Sequence, residues 1–243
     1  AGYTPLMGDF NGDGRSDILW SNGTSVSTYL ENADGSYTWR NYGGVAAGYT
    51  PIVGDFNGDG TSDILWWNGA QVSTYITNPA GGYTWRNIGS VAPGYTPYAG
   101  DFNGDGTSDI LWYNASAGQV STYLIDPSTG NYTWRNIGSV SAGYTPIVGD
   151  FSGDGTSDIA WWNQSSGAVS YYEINPSNGS YTWHNIGGVG AGYTPFVGDF
   201  NGDGKADIGW TNGSSVSYYD VTPAGGYTWH NVGGVGAGYN VVK

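Results

Sequence analysis

The chain has 243 residues, with 6 Lys plus Arg against 20 Asp plus Glu and a formal net charge of -14. So few basic residues exclude a surface that tracks phosphates and argue against nucleic acid as a partner. No apolar run approaches a membrane span, and the absence of Cys excludes disulfides, thiol nucleophiles and thiolate metal sites.

In chain order, residues 2–7 form a short extended stretch, Gly-Tyr-Thr-Pro-Leu-Met. An acidic loop follows at once, Asp9-Phe10-Asn11-Gly12-Asp13-Gly14-Arg15-Ser16-Asp17. Its core, Gly-Asp-Phe-(Asn/Ser)-Gly-Asp-Gly, starts at Gly8, Gly54, Gly100, Gly149 and Gly198, at spacings of 46, 46, 49 and 49 residues. Fifteen of the 20 acids lie in these five loops; only Glu31, Asp34, Asp126, Glu173 and Asp220 lie elsewhere. The negative charge is therefore a local device used five times on a nearly neutral chain.

The second unit shows the remaining elements most plainly. An apolar stretch at 49–53 precedes the loop, and a hydrophobic strand at 64–67 follows it. Asn68-Gly69 begins a turn. Residues 71–76 and 83–88, rich in β-branched and aromatic side chains, read as two further strands. Asn78-Pro79 opens the turn between them. The third and fourth units carry their extra residues in turns, at Asn114-Ala115-Ser116-Ala117-Gly118 and Asn163-Gln164-Ser165-Ser166-Gly167. The fifth unit resembles the second, and residues 238–243 repeat the opening of a unit.

Four short antiparallel strands per unit at this period describe a β-propeller blade. The expected architecture is all-β: a single five-bladed propeller over 1–243, with repeats near 1–46, 47–92, 93–141, 142–190 and 191–237. Residues 238–243 are then a closing segment. A β-sandwich or a linear β-solenoid is the alternative.

Oxygen-bearing side chains at loop positions 1, 3, 5 and 9, with Gly at position 6, match the front of an EF-hand calcium loop; position 7 offers a backbone carbonyl. The five candidate sets are Asp9, Asn11, Asp13, Arg15 and Asp17; Asp55, Asn57, Asp59, Thr61 and Asp63; Asp101, Asn103, Asp105, Thr107 and Asp109; Asp150, Ser152, Asp154, Thr156 and Asp158; and Asp199, Asn201, Asp203, Lys205 and Asp207. Hard oxygens without His or Cys favour Ca²⁺ over Zn²⁺ or Cu²⁺. About five Ca²⁺, one per blade, would bring the net charge from -14 to -4. The expected role is structural, binding to the folded state and stabilising it.

These loops, with the Ile-Leu-Trp strand after them, resemble the FG-GAP/VCBS type of repeat. That resemblance extends to the calcium-bearing blades of integrin α-subunit propellers and to propeller lectins, and it covers essentially the whole chain. It implies calcium-bearing blades; it specifies no ligand. Those relatives mostly have seven blades, so ligand positions do not transfer.

The chemistry outside the loops points to binding. His184 and His230 replace Arg40, Arg86 and Arg135 at one place in successive units, a pattern of repeat drift rather than of a triad. The protein is expected not to be an enzyme. The candidate ligand contacts are Tyr3, Tyr49, Tyr95, Tyr144 and Tyr193 of the Gly-Tyr-Thr turns, with Arg40, Arg86, Arg135, His184 and His230. Flat aromatics beside short polar groups suit sugar rings. The Trp residues are expected mainly in the core. The reading is a secreted, calcium-stabilised, multivalent carbohydrate-binding module, monomeric and without membrane insertion, with glycans or polysaccharide as partner. A protein-binding or adhesion propeller, or an accessory domain of a larger secreted enzyme, is the alternative. Modest calcium loops suit a calcium-rich exterior better than cytosol.

Overall fold

The computed structural model describes residues 2–236. The first sheet is β1 (Thr4–Gly8), β2 (Asp17–Ser21), β3 (Ser25–Glu31) and β4 (Tyr37–Gly44). The second is β5 (Thr50–Gly54), β6 (Asp63–Trp67), β7 (Gln71–Thr77) and β8 (Tyr83–Ser90). The third is β9 (Tyr95–Gly100), β10 (Asp109–Asn114), β11 (Gln119–Ile125) and β12 (Tyr132–Ser139). The fourth is β13 (Tyr144–Gly149), β14 (Asp158–Asn163), β15 (Ala168–Ile174) and β16 (Tyr181–Gly188), and the fifth is β17 (Thr194–Gly198), β18 (Asp207–Thr211), β19 (Ser215–Val221) and β20 (Tyr227–Gly234). In every sheet sequence neighbours are spatial neighbours and pair antiparallel, giving five blades of a β-propeller. The expected closing segment at 238–243 lies outside the described residues. No helix among them is long and apolar enough to cross a membrane.

The five first strands line an axial cavity of about 850 Å³, with Met7, Val53, Ala99, Val148 and Val197 among its walls. The second strand is buried on both faces in all blades but the first, which is why it reads as an unbroken apolar run: Ile64, Leu65 and Trp66 in β6 are all 0–1% exposed, whereas Ile18 and Trp20 of β2 are half-buried. The third and fourth strands share a bulge in every blade, between Val72 and Ser73 in the second. Opposite it, Ile88 is the extra residue, and Gly89 takes φ +126° where a side chain would be strained. The bulge sends Ile88 into the core while Trp85 and Asn87 stay on the other face.

Each blade has a trailing face toward the next blade and a leading face toward the one before. At the first junction Phe10, Leu19, Val26 and Tyr42 of one trailing face pack on Ile64, Trp66 and Tyr75 of the next leading face. The same chemistry fills three more junctions. The loops clip together there as well: the Ser62 amide donates to the Asp9 carbonyl at 2.6 Å, and the Asp9 amide to Ser62 Oγ at 2.9 Å. Gly8 is required at that contact, because a Cβ would meet Ser62 Oγ at 2.7 Å.

The fifth trailing face and the first leading face stand apart from this pattern. Phe10, Phe56, Phe102 and Phe151 are buried at 0–1%, but their counterpart Phe200 is 41% exposed. Val232 is 64% exposed where Tyr42, Ile88, Ile137 and Ile186 are buried. On the first leading face Tyr29 is 43% exposed, while Tyr75, Tyr172 and Tyr219 are buried. The five blades thus make four packed junctions among the described residues.

Burying a Phe side chain and leaving no cavity is worth about 3–5 kcal/mol against Ala. Phe102→Ala is therefore expected to lower the unfolding free energy by about that much. Phe200→Ala, at the open face, should lower it by a fraction of that amount in the same urea titration.

Candidate functional site

The acidic loops fold on themselves. Asp9 Oδ1 accepts the Gly12 amide at 2.7 Å and the Asp13 amide at 3.2 Å, and its Oδ2 accepts the Gly14 amide at 2.8 Å. Asn11 Oδ1 caps the Asp13 amide, and Asp13 Oδ1 the Arg15 amide. These successive Asx turns place the side chains of positions 1, 3 and 5 along one inner wall. The pattern repeats at Asp55, Asn57 and Asp59, at Asp101, Asn103 and Asp105, and at Asp199, Asn201 and Asp203. The fourth loop differs: with Ser152 in place of Asn, its amide turns to Asp158 Oδ2 at 2.9 Å.

Position 9 is the tether. Asp63 is fully buried; its Oδ2 accepts the Phe56 amide at 3.0 Å and its Oδ1 the Thr77 amide at 2.7 Å. One side chain so joins the loop, β6 and the end of β7. Asp17, Asp109 and Asp158 do the same in their blades, and Asp207 accepts the Phe200 amide at 3.0 Å. Burial pushes the Asp63, Asp109 and Asp158 carboxyls from the ordinary 3.8 to about 7, against their amide hydrogen bonds; loop carboxylates beside them push the same way. Desolvation raises Asp17 and Asp207 as well.

The donor set fits a hard cation in chemistry. Every side chain in it presents oxygen apart from Arg15 and Lys205, which offer their carbonyls. Each buried carboxylate sits beside further acids, and among the described residues the second, third and fourth loops contain no ion pair. The first and fifth loops supply a cation of their own, Arg15 to Asp13 at 2.8 Å and Lys205 to Asp203. Lys205 holds the Asp203 carboxyl below its usual range. Among the described residues no three acids or imidazoles converge into a preformed metal cluster, because the carboxylates are turned to the loop amides.

The second candidate site lies on the leading faces, near the rim. A pocket of about 190 Å³ is lined by Tyr49, Trp66, Gln71, Ser73, Trp85 and Asn87, with Val45 and Ala46 of the preceding blade. Tyr49 donates its hydroxyl to Gln71 Oε1 at 3.0 Å. Among the described residues the buried indole N–H of Trp66 has no acceptor. The third blade builds the counterpart from Tyr95, Gln119, Ser121, Trp134 and Asn136, with Tyr95 bonded to Gln119 at 2.7 Å. The first blade builds it from Tyr3, Trp20, Ser27, Tyr29 and Trp39. Thus Tyr3, Tyr49 and Tyr95 each share a pocket with a fourth-strand Trp. Tyr144 and Tyr193 are half-buried against the third and fourth junctions.

One expectation needs correction. Trp39, Trp85, Trp134, Trp183 and Trp229 are 57–61% exposed rather than core residues. They stand on the outermost strand, past the reach of the preceding blade, and the core Trp are those of the second strands. The arginines lie away from the pockets of the tyrosines. Arg40 donates to the Pro79 carbonyl at 2.8 Å, Arg86 to that of Pro127 at 2.9 Å and Arg135 to that of Pro176 at 2.8 Å, each on the next blade. His184 instead contacts Glu173 at 2.7 Å and stacks on Tyr171, and His230 stacks on Tyr218. Gln71, Gln119 and the serines beside them carried no signal in the sequence, because the interval from the Gly-Tyr-Thr tyrosine to its Gln partner changes from 22 residues in the second blade to 24 in the third.

For the raised acids the sign is definite. Their protons are held more tightly in the folded chain than in the unfolded one, so their favourable contribution is complete below about 4 and is lost as pH rises through about 7. In excess chelator the melting temperature is expected to fall between pH 5 and pH 8. Asp109→Asn should flatten that slope, which thermal unfolding followed by circular dichroism checks directly.

No curated protein matches the chain. Among solved structures it is similar to an Agrocybe aegerita lectin described by its specific recognition of non-reducing terminal N-acetylglucosamine, at 14% identity and TM-score 0.63, over 96% of this chain and 80% of that one. It is similar to a proposed 6-phosphogluconolactonase from Bacteroides uniformis, at 16% identity and TM-score 0.58, over 89% and 67% of the two chains. A Lactobacillus plantarum protein matches at 15% identity and TM-score 0.60, over 90% and 70%. Such identities carry the fold alone. A family model, the FG-GAP-like repeat, matches residues 9–66, 55–112, 101–161 and 150–210, each match running from one acidic loop to the core Trp of the next blade. The chain belongs to the FG-GAP-like repeat family.

Proposed function

We propose that this propeller is a non-catalytic carbohydrate-binding module that acts outside the cell and is stabilised by Ca²⁺ in its acidic loops. The observation that carries the reading is the repeated rim pocket, in which an exposed Trp faces a Tyr hydroxyl, a Gln or Ser and an unsatisfied indole N–H. An apolar plane beside fixed donors and acceptors is what a pyranose ring requires. Repetition around the blades turns weak sites into avidity for a dense glycan. Binding is favoured over catalysis by the placement of the two histidines, in separate blades and engaged with Glu173 and with stacked tyrosines.

A glycan array on the calcium-loaded protein tests this. Immobilised glycans should retain the wild type, and Trp85→Ala with Trp134→Ala should weaken retention while changing stability by only about 0.5 kcal/mol each, as for other surface positions. No retention of any glycan would favour the second reading, a protein-binding propeller or an accessory domain. That reading draws on the comparisons, which carry the propeller fold alone, and on an aromatic rim equally suited to a peptide.

For the loops, Asp63, Asp109 and Asp158 supply the buried charge that a cation would neutralise. Calcium added to chelated protein is expected to raise the melting temperature, more at pH 8 than at pH 5, with calorimetric stoichiometry near one ion per blade. An unchanged melt at both pH values removes calcium from the account.

A further inference from the structure

Resting on the carbohydrate-binding reading, we propose that Gln71 and Gln119 decide which blades bind: the second and third pockets take an uncharged pyranose, and their counterparts in the other blades bind it at least roughly tenfold more weakly. The two glutamines open β7 and β11, one residue before the bulge, and pair with Ser90 and Ser139. Alternate residues of a strand share a face, so Gln71 stands with Ser73, and Gln119 with Ser121, in the pocket wall. The Tyr49 hydroxyl donates to Gln71 Oε1 at 3.0 Å, and that of Tyr95 to Gln119 Oε1 at 2.7 Å. The oxygen is the one acceptor group of a Gln side chain. Among the described residues neither Nε2 has a partner, so both of its N–H bonds remain free to donate.

The pocket chemistry names the class of sugar. No charged side chain lines either pocket. A uronic or sialic carboxylate taken into such a place would leave its charge unpaired. Donors are in surplus, since the free Gln amide stands beside the indole N–H of Trp66, a side chain only 1% exposed whose nitrogen has no acceptor among the described residues. A buried N–H without an acceptor is unfavourable, and a bound oxygen relieves it. The exposed Trp85 supplies a plane for the face of the ring. An uncharged pyranose with oxygen acceptors along one edge meets all of these groups.

The indole N–H is unpaired in every second strand, with Trp20, Trp112, Trp161 and Trp210 alike, so it does not distinguish the blades. The Gln does. Ser25, Ala168 and Ser215 open the third strand in the first, fourth and fifth blades, at the same place before the bulge. Tyr144 and Ala168 stand at the interval of Tyr95 and Gln119, and Tyr193 and Ser215 at that of Tyr49 and Gln71. Among the described residues no side chain holds the hydroxyl of Tyr3, Tyr144 or Tyr193. In those blades the phenol must be ordered when the sugar arrives and the amide donors are missing, and both weaken binding.

Nuclear magnetic resonance of the isotope-labelled, calcium-loaded protein reads each blade through the indole N–H signal of its second-strand Trp. The probes are the methyl pyranosides of glucose, galactose and mannose, with methyl glucuronoside as the charged counterpart. At least one uncharged probe is expected to move the Trp66 and Trp112 signals at concentrations that leave those of Trp161 and Trp210 in place, and methyl glucuronoside to move none. Gln119→Ala, at an exposed position, should silence Trp112 and leave Trp66 titrating as before. Ala168→Gln should bring Trp161 into the responding set, and Ser215→Gln should do so for Trp210, a gain that a merely structural role of Gln would not produce. An unchanged unfolding midpoint confirms that each variant folds. If no probe moves any indole signal, the proposal and the carbohydrate reading fall together. The proposal falls alone if Trp161 and Trp210 respond as readily as Trp66 in the wild type, or if methyl glucuronoside binds as well as the uncharged probes. It also falls alone if Gln119→Ala leaves Trp112 unaffected, or if neither added Gln recruits its Trp.

Discussion

A four-stranded blade has two apolar faces and no layer of its own to cover either. Every other feature of this protein depends on that constraint. The second strand of every blade but the first is buried on both sides, so its middle must be apolar. The loop Phe, the core Trp and the bulge Ile or Tyr fill the space between blades. Gly8, Gly54, Gly100 and Gly149 lie where neighbouring loops touch, and a Cβ there would come within 2.6–2.9 Å of the next blade. The apolar energy of the fold is therefore held in the junctions, and each blade's stability is partly a property of its neighbour.

The acidic loop is built into the same arrangement. Its ninth residue is a buried carboxylate whose two oxygens hold the loop on one side and the end of the third strand on the other. A side chain that bridges three elements through backbone amides fixes geometry well, but it leaves a charge in a poorly solvated place. The raised Asp63, Asp109 and Asp158 carboxyls record that conflict. The loops thus couple blade geometry to whatever neutralises them, whether proton or cation.

Much of this was legible in the sequence. The period of 46–49 residues, the strand-loop-strand order and the Asn-Gly and Asn-Pro turns gave five blades with nearly correct strand limits. The Asx pattern of the loops followed from residue type and spacing. The exposure of Trp39 and its four counterparts did not. Trp66 and Trp85 look alike as letters, and only the position of their strands, central or outermost, separates them. The destination of Arg86 was equally hidden, since it depends on the approach of a turn 41 residues away. The open faces could not be read either, because the end repeats carry the same residues as the middle ones.

The inter-blade bonds at the Pro turns reveal how such a chain can drift without coming apart. Pro79, Pro127, Pro176 and Pro223 all offer a main-chain carbonyl to the preceding blade. Three are met by an Arg from a fourth strand and the last by a Tyr hydroxyl from a third strand. An acceptor made of backbone persists through any side-chain substitution, so the donor is free to change its chemistry and even its strand of origin. Adjacent blades need not evolve in step for the bond between them to survive, which makes the turn, rather than the residue that grips it, the heritable half of the contact.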